Sequence, residues 1–352
     1  MTDNVMLRAD GQEFSGWTQV SVSMDVRAIA WSFSLTMTTT IVEVHGPLLK
    51  KGQRVELFIG TDRVMTARID EIAVSYDEAN VNYDVTGRSL TGQLVDSAAI
   101  YPGSQFSHLS LPDIARELCA PFGIDVTLEN HHWRNALQLE YSEFPTVRIE
   151  QGESVYELLE RLARQAGVLL TTNASGHLVM TQAGTRVITP ALVLGENIKS
   201  CRAIDSILPR ASQYIVKGSG TGLDFGAQDT VGNAVEIIDP DIDLHRPRIV
   251  ICETVLTTDI ATQRGQWQRC RDLGSGTQAE YTLTGWTHDG GVFTPNVLVS
   301  VDDDLADIHD QWLVVTVTLV EGDDGRLATL TVQPPESLVI TKEQNKQSGA
   351  FF

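Results

Sequence analysis

The 352-residue sequence has little that marks a membrane span, a nucleic-acid surface or an active site. No run approaches the ~20 consecutive apolar residues that a spanning helix requires. The segment Met1 to Arg8 has neither a basic n-region nor an apolar h-region, so cytoplasmic synthesis without Sec-type export is expected. Basic residues are scarce. Only 26 Lys and Arg stand against 46 Asp and Glu, a formal net charge of −20. Neutralising phosphates takes a basic patch, which argues against conventional nucleic-acid binding. The same charge suits a self-repelling surface, or a wall that DNA passes without adhering. The four cysteines, Cys119, Cys201, Cys252 and Cys270, form no CxxC pair and none lies near a histidine at ligand spacing. They read as reduced, small core residues.

Catalytic signatures are missing as well, so no catalytic, cofactor-binding or metal residues are assigned. Gly218 to Gly222 follows a strand, as a dinucleotide loop would, but its spacing is not G-x-G-x-x-G and no helix opens after it. There is no P-loop, no G-x-S-x-G and no H-E-x-x-H. His131 and His132 are adjacent rather than one helical turn apart, and together with His108 they read as solvated loop residues. Asp302-Asp303-Asp304 lacks the Gly and the terminal Glu of a calcium loop and reads as a charged turn. With 46 acids in the chain, spacing alone assigns no carboxylate pair.

What is present is alternation. Trp31, Phe33, Leu35 and Met37 alternate with Ser32, Ser34 and Thr36, the period of a half-buried strand. Similar stretches lie at Val5 to Ala9, Val20 to Met24, Val55 to Ile59, Val64 to Val74 and Val81 to Val85. Turn residues such as Gly46-Pro47 and Gly60-Thr61-Asp62 separate them. This predicts a small antiparallel barrel or sandwich. At Gly87-Arg88-Ser89 the alternation stops. Leu90, Leu94 and Val95 then fall at helical spacing, which predicts a strand running into a short turn. Leu90 and Leu94 are expected to be buried, and Arg88 to form a structural ion pair.

Residues 98–195 read as α+β. Ser110-Leu111-Pro112-Asp113 predicts a helix start, with its stop at Gly123. Ser154-Val155-Tyr156-Glu157 is a capping box before the apolar face Val155, Leu158, Leu159, Leu162, Ala163 and Ala166, with Gly167 as the stop. A hairpin follows around Asn173 to Gly176. Beyond Asn197 the chain is β again, with strands at Ser212 to Val216, Ile249 to Ile251, Tyr281 to Trp286, Val297 to Val301, Trp312 to Val320 and Leu327 to Val332. A helix runs from Thr258 or Asp259 to about Leu273, and residues 341–352 read as a flexible tail. The two β regions end alike, each with a long strand, an acidic turn and a returning strand before Ser-Leu.

The stretch Tyr83 to Ala99 (Tyr-Asp-Val-Thr-Gly-Arg-Ser-Leu-Thr-Gly-Gln-Leu-Val-Asp-Ser-Ala-Ala) resembles the end of the first tube domain of Mu-type contractile phage baseplate hub proteins. More distantly it is similar to the P2 late control D protein, the T4 hub and the hub part of type VI secretion spikes. Ile149 to Gly167 looks like the middle helix of that family, Tyr214 to Gly218 like the opening of its second tube domain, and Gly285-Trp286, Thr294-Pro295-Asn296 and Trp312-Leu313 like its closing strands. The resemblance implies a mainly β fold with an α+β insertion: two similar small antiparallel β-barrels plus a helix-containing domain. The expected segments are a first tube domain at 1–97, the α+β domain at 98–195, and a second tube domain from 196–218 with 280–340. An insertion is expected at 219–279. It also implies a homotrimeric ring of pseudo-sixfold symmetry in the baseplate of a virion tail, assembled in the bacterial host cytoplasm. The implied partners are a trimeric central spike, the tail tube and other baseplate proteins, with DNA passing through unbound. Acids such as Asp77-Glu78 or Asp302 to Asp304 would then line or rim the channel. A second reading takes Ile149 to Gly167 as a LysM-like start that binds peptidoglycan, and a third takes the chain as a wall-degrading enzyme of host penetration.

Overall fold

The computed structural model describes residues 4–40, 49–129, 143–218, 235–252 and 258–338. The Gly46-Pro47 turn, His131, His132, the glycine loop after Gly218 and the tail beyond 341 lie outside them. The chain divides into two compact units, one of Met1–Ser206 with Thr277–Pro335 and one of Ile207–Gly276 with Glu336–Phe352.

In the larger unit the first β region holds β1 (Val5–Ala9), β2 (Gln12–Phe14), β3 (Gln19–Asp25), β4 (Ser32–Thr40), β5 (Arg54–Ile59), β6 (Asp62–Tyr76) and β7 (Asn80–Ser89). Period-2 alternation buries Val20, Val22 and Met24 of β3, Phe33 and Leu35 of β4, and Val85 of β7 in one apolar cluster. The α+β part follows with α1 (Gln93–Asp96), β8 (Gln105–Ser110), α2 (Leu111–Cys119), β9 (Val126–Leu128), β10 (Glu143–Arg148), α3 (Val155–Ala166), β11 (Leu169–Thr172) and β12 (Leu178–Thr181).

The two longer helices of the α+β part, α2 and α3, start where their caps dictate. The Ser110 hydroxyl accepts from the Asp113 amide, and in α3 Ser154 and Glu157 exchange bonds with each other's backbone amides. Gly167 ends α3 in the left-handed region at φ 66°, which glycine adopts without strain. Leu158, Leu159 and Leu162 are fully buried in the core of the α+β part. Each contributes roughly 1.5–3 kcal/mol of apolar burial.

The second β region begins with β13 (Val187–Val193) and β14 (Ile198–Asp205), neither of which shows clear alternation in sequence. In the smaller unit, β15 (Gln213–Gly218) lies between β16 (Val235–Ile238) and β17 (Pro247–Cys252), followed by α4 (Thr258–Gly276). Here the structure differs from the sequence reading. β15, expected to open the second tube domain, belongs to this three-stranded sheet instead. Its core is Ala211, Tyr214, Val216, Val250 and Ala261. Gly265 lets α4 approach closely, since a Cβ there would stand 2.6 Å from Ile237 and 2.9 Å from Val216.

The larger unit resumes with β18 (Thr277–Thr284), the short hairpin β19 (Thr287–His288) and β20 (Gly291–Val292), then β21 (Val297–Asp302), β22 (Gln311–Gly322) and β23 (Gly325–Gln333). Trp286 is fully buried, and its indole N–H donates to the carbonyls of Val320 and Leu327 at 3.2 and 3.1 Å.

One strand order occurs twice. Leaving β2 aside, the first region runs β1-β5-β6-β7-β4-β3 across the sheet, and the second runs β13-β21-β22-β23-β18-β14. Each set has the same permutation of its chain order. They differ at one joint, where β1 meets β5 antiparallel and β13 meets β21 parallel. Neither set closes into the expected barrel. To close the first, β3 would have to return to β1. It pairs instead with β22, joining both sets into one 13-stranded sheet over a shared apolar cluster. The length of β22 makes this possible. Gln311–Val314 use its outer edge for β21, and Thr316–Glu321 offer the same edge to β3.

Candidate assembly interface

The chemistry of the larger unit concentrates in its joints, its open edges and one polar sheet face. The β3–β22 joint is held by a small network. Asp25 accepts from Arg27 at 2.9 and 2.6 Å and from the Thr316 hydroxyl at 2.7 Å. Burial works against the Asp25 charge, but the Arg27 and Thr316 contacts outweigh it and hold the carboxyl below its ordinary 3.8. A carboxyl lowered in the folded state stabilises it above the unfolded value and loses that contribution as pH falls through the folded one. Unfolding midpoints are therefore expected to drop on acidification below about pH 4, with a smaller drop for Asp25→Asn. Urea titrations across that range check this.

The corner after β7 is built residue by residue. Arg88 donates to Asp70 and Asp96, each at 2.6 Å, the ion pair expected of it. The Arg88 hydrogen bond holds the Asp96 carboxyl below its usual range. Ser89 and Thr91 are buried, and both hydroxyls reach the Ile29 carbonyl. Leu90 and Leu94 are buried in the core of the α+β part, as expected. Gly87 is required by close approach, with the Phe33 ring and the Arg68 carbonyl standing where a Cβ would be.

The sheet face opposite the apolar cluster is rich in hydroxyls. It carries Ser21 and Ser23 on β3, Ser32, Ser34 and Thr36 on β4, Thr86 on β7, Thr316 and Thr318 on β22, Thr329 and Thr331 on β23, and Thr282 on β18. Thr36 donates to Asp84 at 2.6 Å and Thr38 to Asn82 at 2.8 Å, cross-strand pairs that hold the face together.

Besides the outer edges of the terminal strands β2 and β13, two further edges have no strand partner among the described residues. Among the described residues nothing pairs with the outer edge of β14, nor with the outer edge of β6 beyond Asp70. Val74 and Tyr76 on the latter are 50% and 76% exposed. Cys201 on β14 is exposed, which corrects its reading as a core residue, whereas Cys119 and Cys270 are buried.

The acidic turns are shaped by local hydrogen bonds. Asp303 is buried and accepts from the Leu305 amide at 3.0 Å and the Tyr281 hydroxyl at 3.1 Å. Its carboxylate thus shapes the turn from within. Asp302 holds His309 at 2.8 Å and raises its pKa. Asp77 accepts from the Ala79 and Asn80 amides, which lowers its pKa and closes the β6–β7 turn. His108 is largely exposed, 3.8 Å from Glu143. Among the described residues no group of three His, Cys, Asp or Glu is placed to hold a metal, and no helix is long and apolar enough to cross a membrane. The edges escaped the sequence reading because a strand's free backbone leaves no mark in its side chains.

Comparison with known proteins agrees with this architecture. Residues 4–89 match the family described as Mu phage baseplate assembly protein GpP-like, N-terminal. Residues 91–182 match baseplate hub protein gp44-like, second domain, and residues 257–341 match Mu phage baseplate assembly protein GpP, fourth domain. The chain is 33% identical to baseplate hub protein gp44 of Escherichia phage Mu, over 99% of this chain and 92% of that protein. The 43 kDa tail protein of prophage MuSo2 from Shewanella oneidensis superposes with a TM-score of 0.85 at 35% identity, covering 96% of this chain and all of that one. A tail protein from Neisseria meningitidis shares the fold at a TM-score of 0.78 and 21% identity, over 95% and 98% of the two chains. With its sheet order, its α+β insertion and these full-length relatives, the chain belongs to the Mu-type phage baseplate hub proteins.

Proposed function

We propose that this chain is the structural hub of a contractile-tail baseplate, a homotrimeric ring of pseudo-sixfold symmetry that joins the tail tube to a central spike. The observation that carries this reading is the six-strand order that occurs twice in one chain. Three copies then supply six near-equivalent positions, which a sixfold tube can meet on one side and a threefold spike on the other. On this reading the tube domains are β1–β7 and β13–β14 with β18–β23. The α+β part lies between them in sequence, and residues 207–276 are inserted.

The hydroxyl-rich sheet face supplies the channel wall. Neutral hydroxyls and a net charge of −20 favour passage of DNA without adhesion. The work of the chain is mechanical and positional rather than enzymatic, and assembly takes place in the host cytoplasm. Light scattering and electron microscopy of the purified protein test the ring. A mass near three times 38.6 kDa and ring-shaped particles with six lobes are expected. A monomer at every concentration, with no rings, overturns the reading.

A further inference from the structure

We propose that neighbouring copies join by antiparallel strand pairing. β14 of one copy adds to Glu71–Tyr76 of β6 in the next, with Ala203 opposite Val74 and Cys201 opposite Tyr76. The proposal rests on the ring reading and specifies its joint.

The chain already contains one example of this joint. β6 and β22 are equivalent strands, and so are β14 and β3. Both long strands carry a one-residue irregularity at the same place, Ile69 to Glu71 against β7 and Val314 to Thr316 against β23. Aligning these makes Glu71 equivalent to Thr316 and Val74 equivalent to Leu319. Before the irregularity each strand pairs with its short neighbour, β5 or β21. After it, β22 pairs with β3 on that same edge, whereas the corresponding edge of β6 has no partner among the described residues. On the other side, β3 and β14 pair with β4 and β18 such that Val22 corresponds to Ala203 and Val20 to Cys201. Since Leu319 lies opposite Val22, the transferred register sets Val74 opposite Ala203.

Side-chain character agrees with this register. Val74 and Tyr76 alternate onto the apolar face of the sheet yet stand 50% and 76% exposed, and Cys201 and Ala203 are exposed on that same face. Pairing would cover all four. Unpaired N–H and C=O groups on both edges are ready templates for such an addition. Two different edges that complement each other form a head-to-tail contact, which closes into a ring when its rotation allows.

Tyr76→Cys, with the native Cys201 retained, tests the register. Copper–phenanthroline oxidation followed by non-reducing electrophoresis should move most of the chain into dimer and trimer bands. The same variant with Cys201→Ser should show none. Ser75→Cys with native Cys201 should show none either, because residue 75 faces the other side of the sheet, whereas Ser75→Cys with Arg202→Cys should link. Light scattering on the same samples separates the two readings. A trimeric mass with no link from either matched pair, or a link that survives Cys201→Ser, overturns the edge pairing and leaves the ring. A monomeric mass without links overturns both.

Discussion

Gly87→Ala is expected to destabilise the larger unit by about 3 kcal/mol, the upper range for overpacking a filled site. Gly87 lies in β7, between Phe33 of β4 and Ile69 of β6. A Cβ there would overlap the Arg68 carbonyl oxygen and come 2.7 Å from two atoms of the Phe33 ring. A carbonyl within a sheet ladder cannot move aside without breaking its pairing, so the strain spreads into β4 and β6. The φ of Gly87 is not the issue, since it is absent from the residues with positive φ. Gly92→Ala is the control. Its Cβ would stand 3.2 Å from the Arg88 Cβ and 3.7 Å from that side chain's Cδ and Nε, so the approach is tight at one atom but nothing overlaps. Urea unfolding of both variants should show a large loss at 87 and a change within about 1 kcal/mol at 92. Equal stabilities would show that the close approach at Gly87 carries no constraint.

Arg210→Ala is expected to open the smaller unit at a cost of about 3–5 kcal/mol. Arg210 grips Asp239 with two hydrogen bonds, at 2.9 and 2.7 Å, and reaches Asp241 at 2.7 Å. The Asp239 side chain is almost wholly buried, at 2% exposure. Without the guanidinium a carboxylate is left in an apolar site, facing only the weak 3.4 Å contact from the Asp241 amide. The core available to offset this is small, namely Ala211, Tyr214, Val216, Val250 and Ala261 with their neighbours. Hydrogen exchange should therefore show faster exchange in β15, β16 and α4, with β22 and β23 unchanged. Unchanged protection in β15 would mean that the pair contributes little to this unit.

Much of the fold was legible because its signals are local. The α3 capping box lies within four residues, and its apolar face repeats at helical spacing. β4 alternates so strictly that its buried and polar faces follow from sequence alone. The corner at Gly87-Arg88-Ser89 was legible as a break, and its buried Leu90 and Leu94 followed from spacing. β13 and β14 were not legible. Pro190 interrupts the first. The second runs Ile-Lys-Ser-Cys-Arg-Ala-Ile-Asp, with side chains mostly exposed on both faces, so it lacks the contrast on which alternation depends. β15 was legible as a strand, yet its place was misread, because strand character does not say which sheet a strand joins.

The sequence by itself determined the mainly β character, the capped helices between the β regions, the acidic balance and the lack of any recognised catalytic signature. All are properties of residue type and short-range spacing. The tertiary structure alone decided that β3 pairs with β22 instead of closing a barrel. It also decided that Arg210 meets Asp239 across 29 positions, that Asp303 turns inward, and that β14 and the far half of β6 are left open. Strand pairing runs through backbone N–H and C=O groups that every residue carries alike. Which edge meets which therefore depends on where the folded chain leaves its edges, with the side chains along them fixing the register once two edges meet.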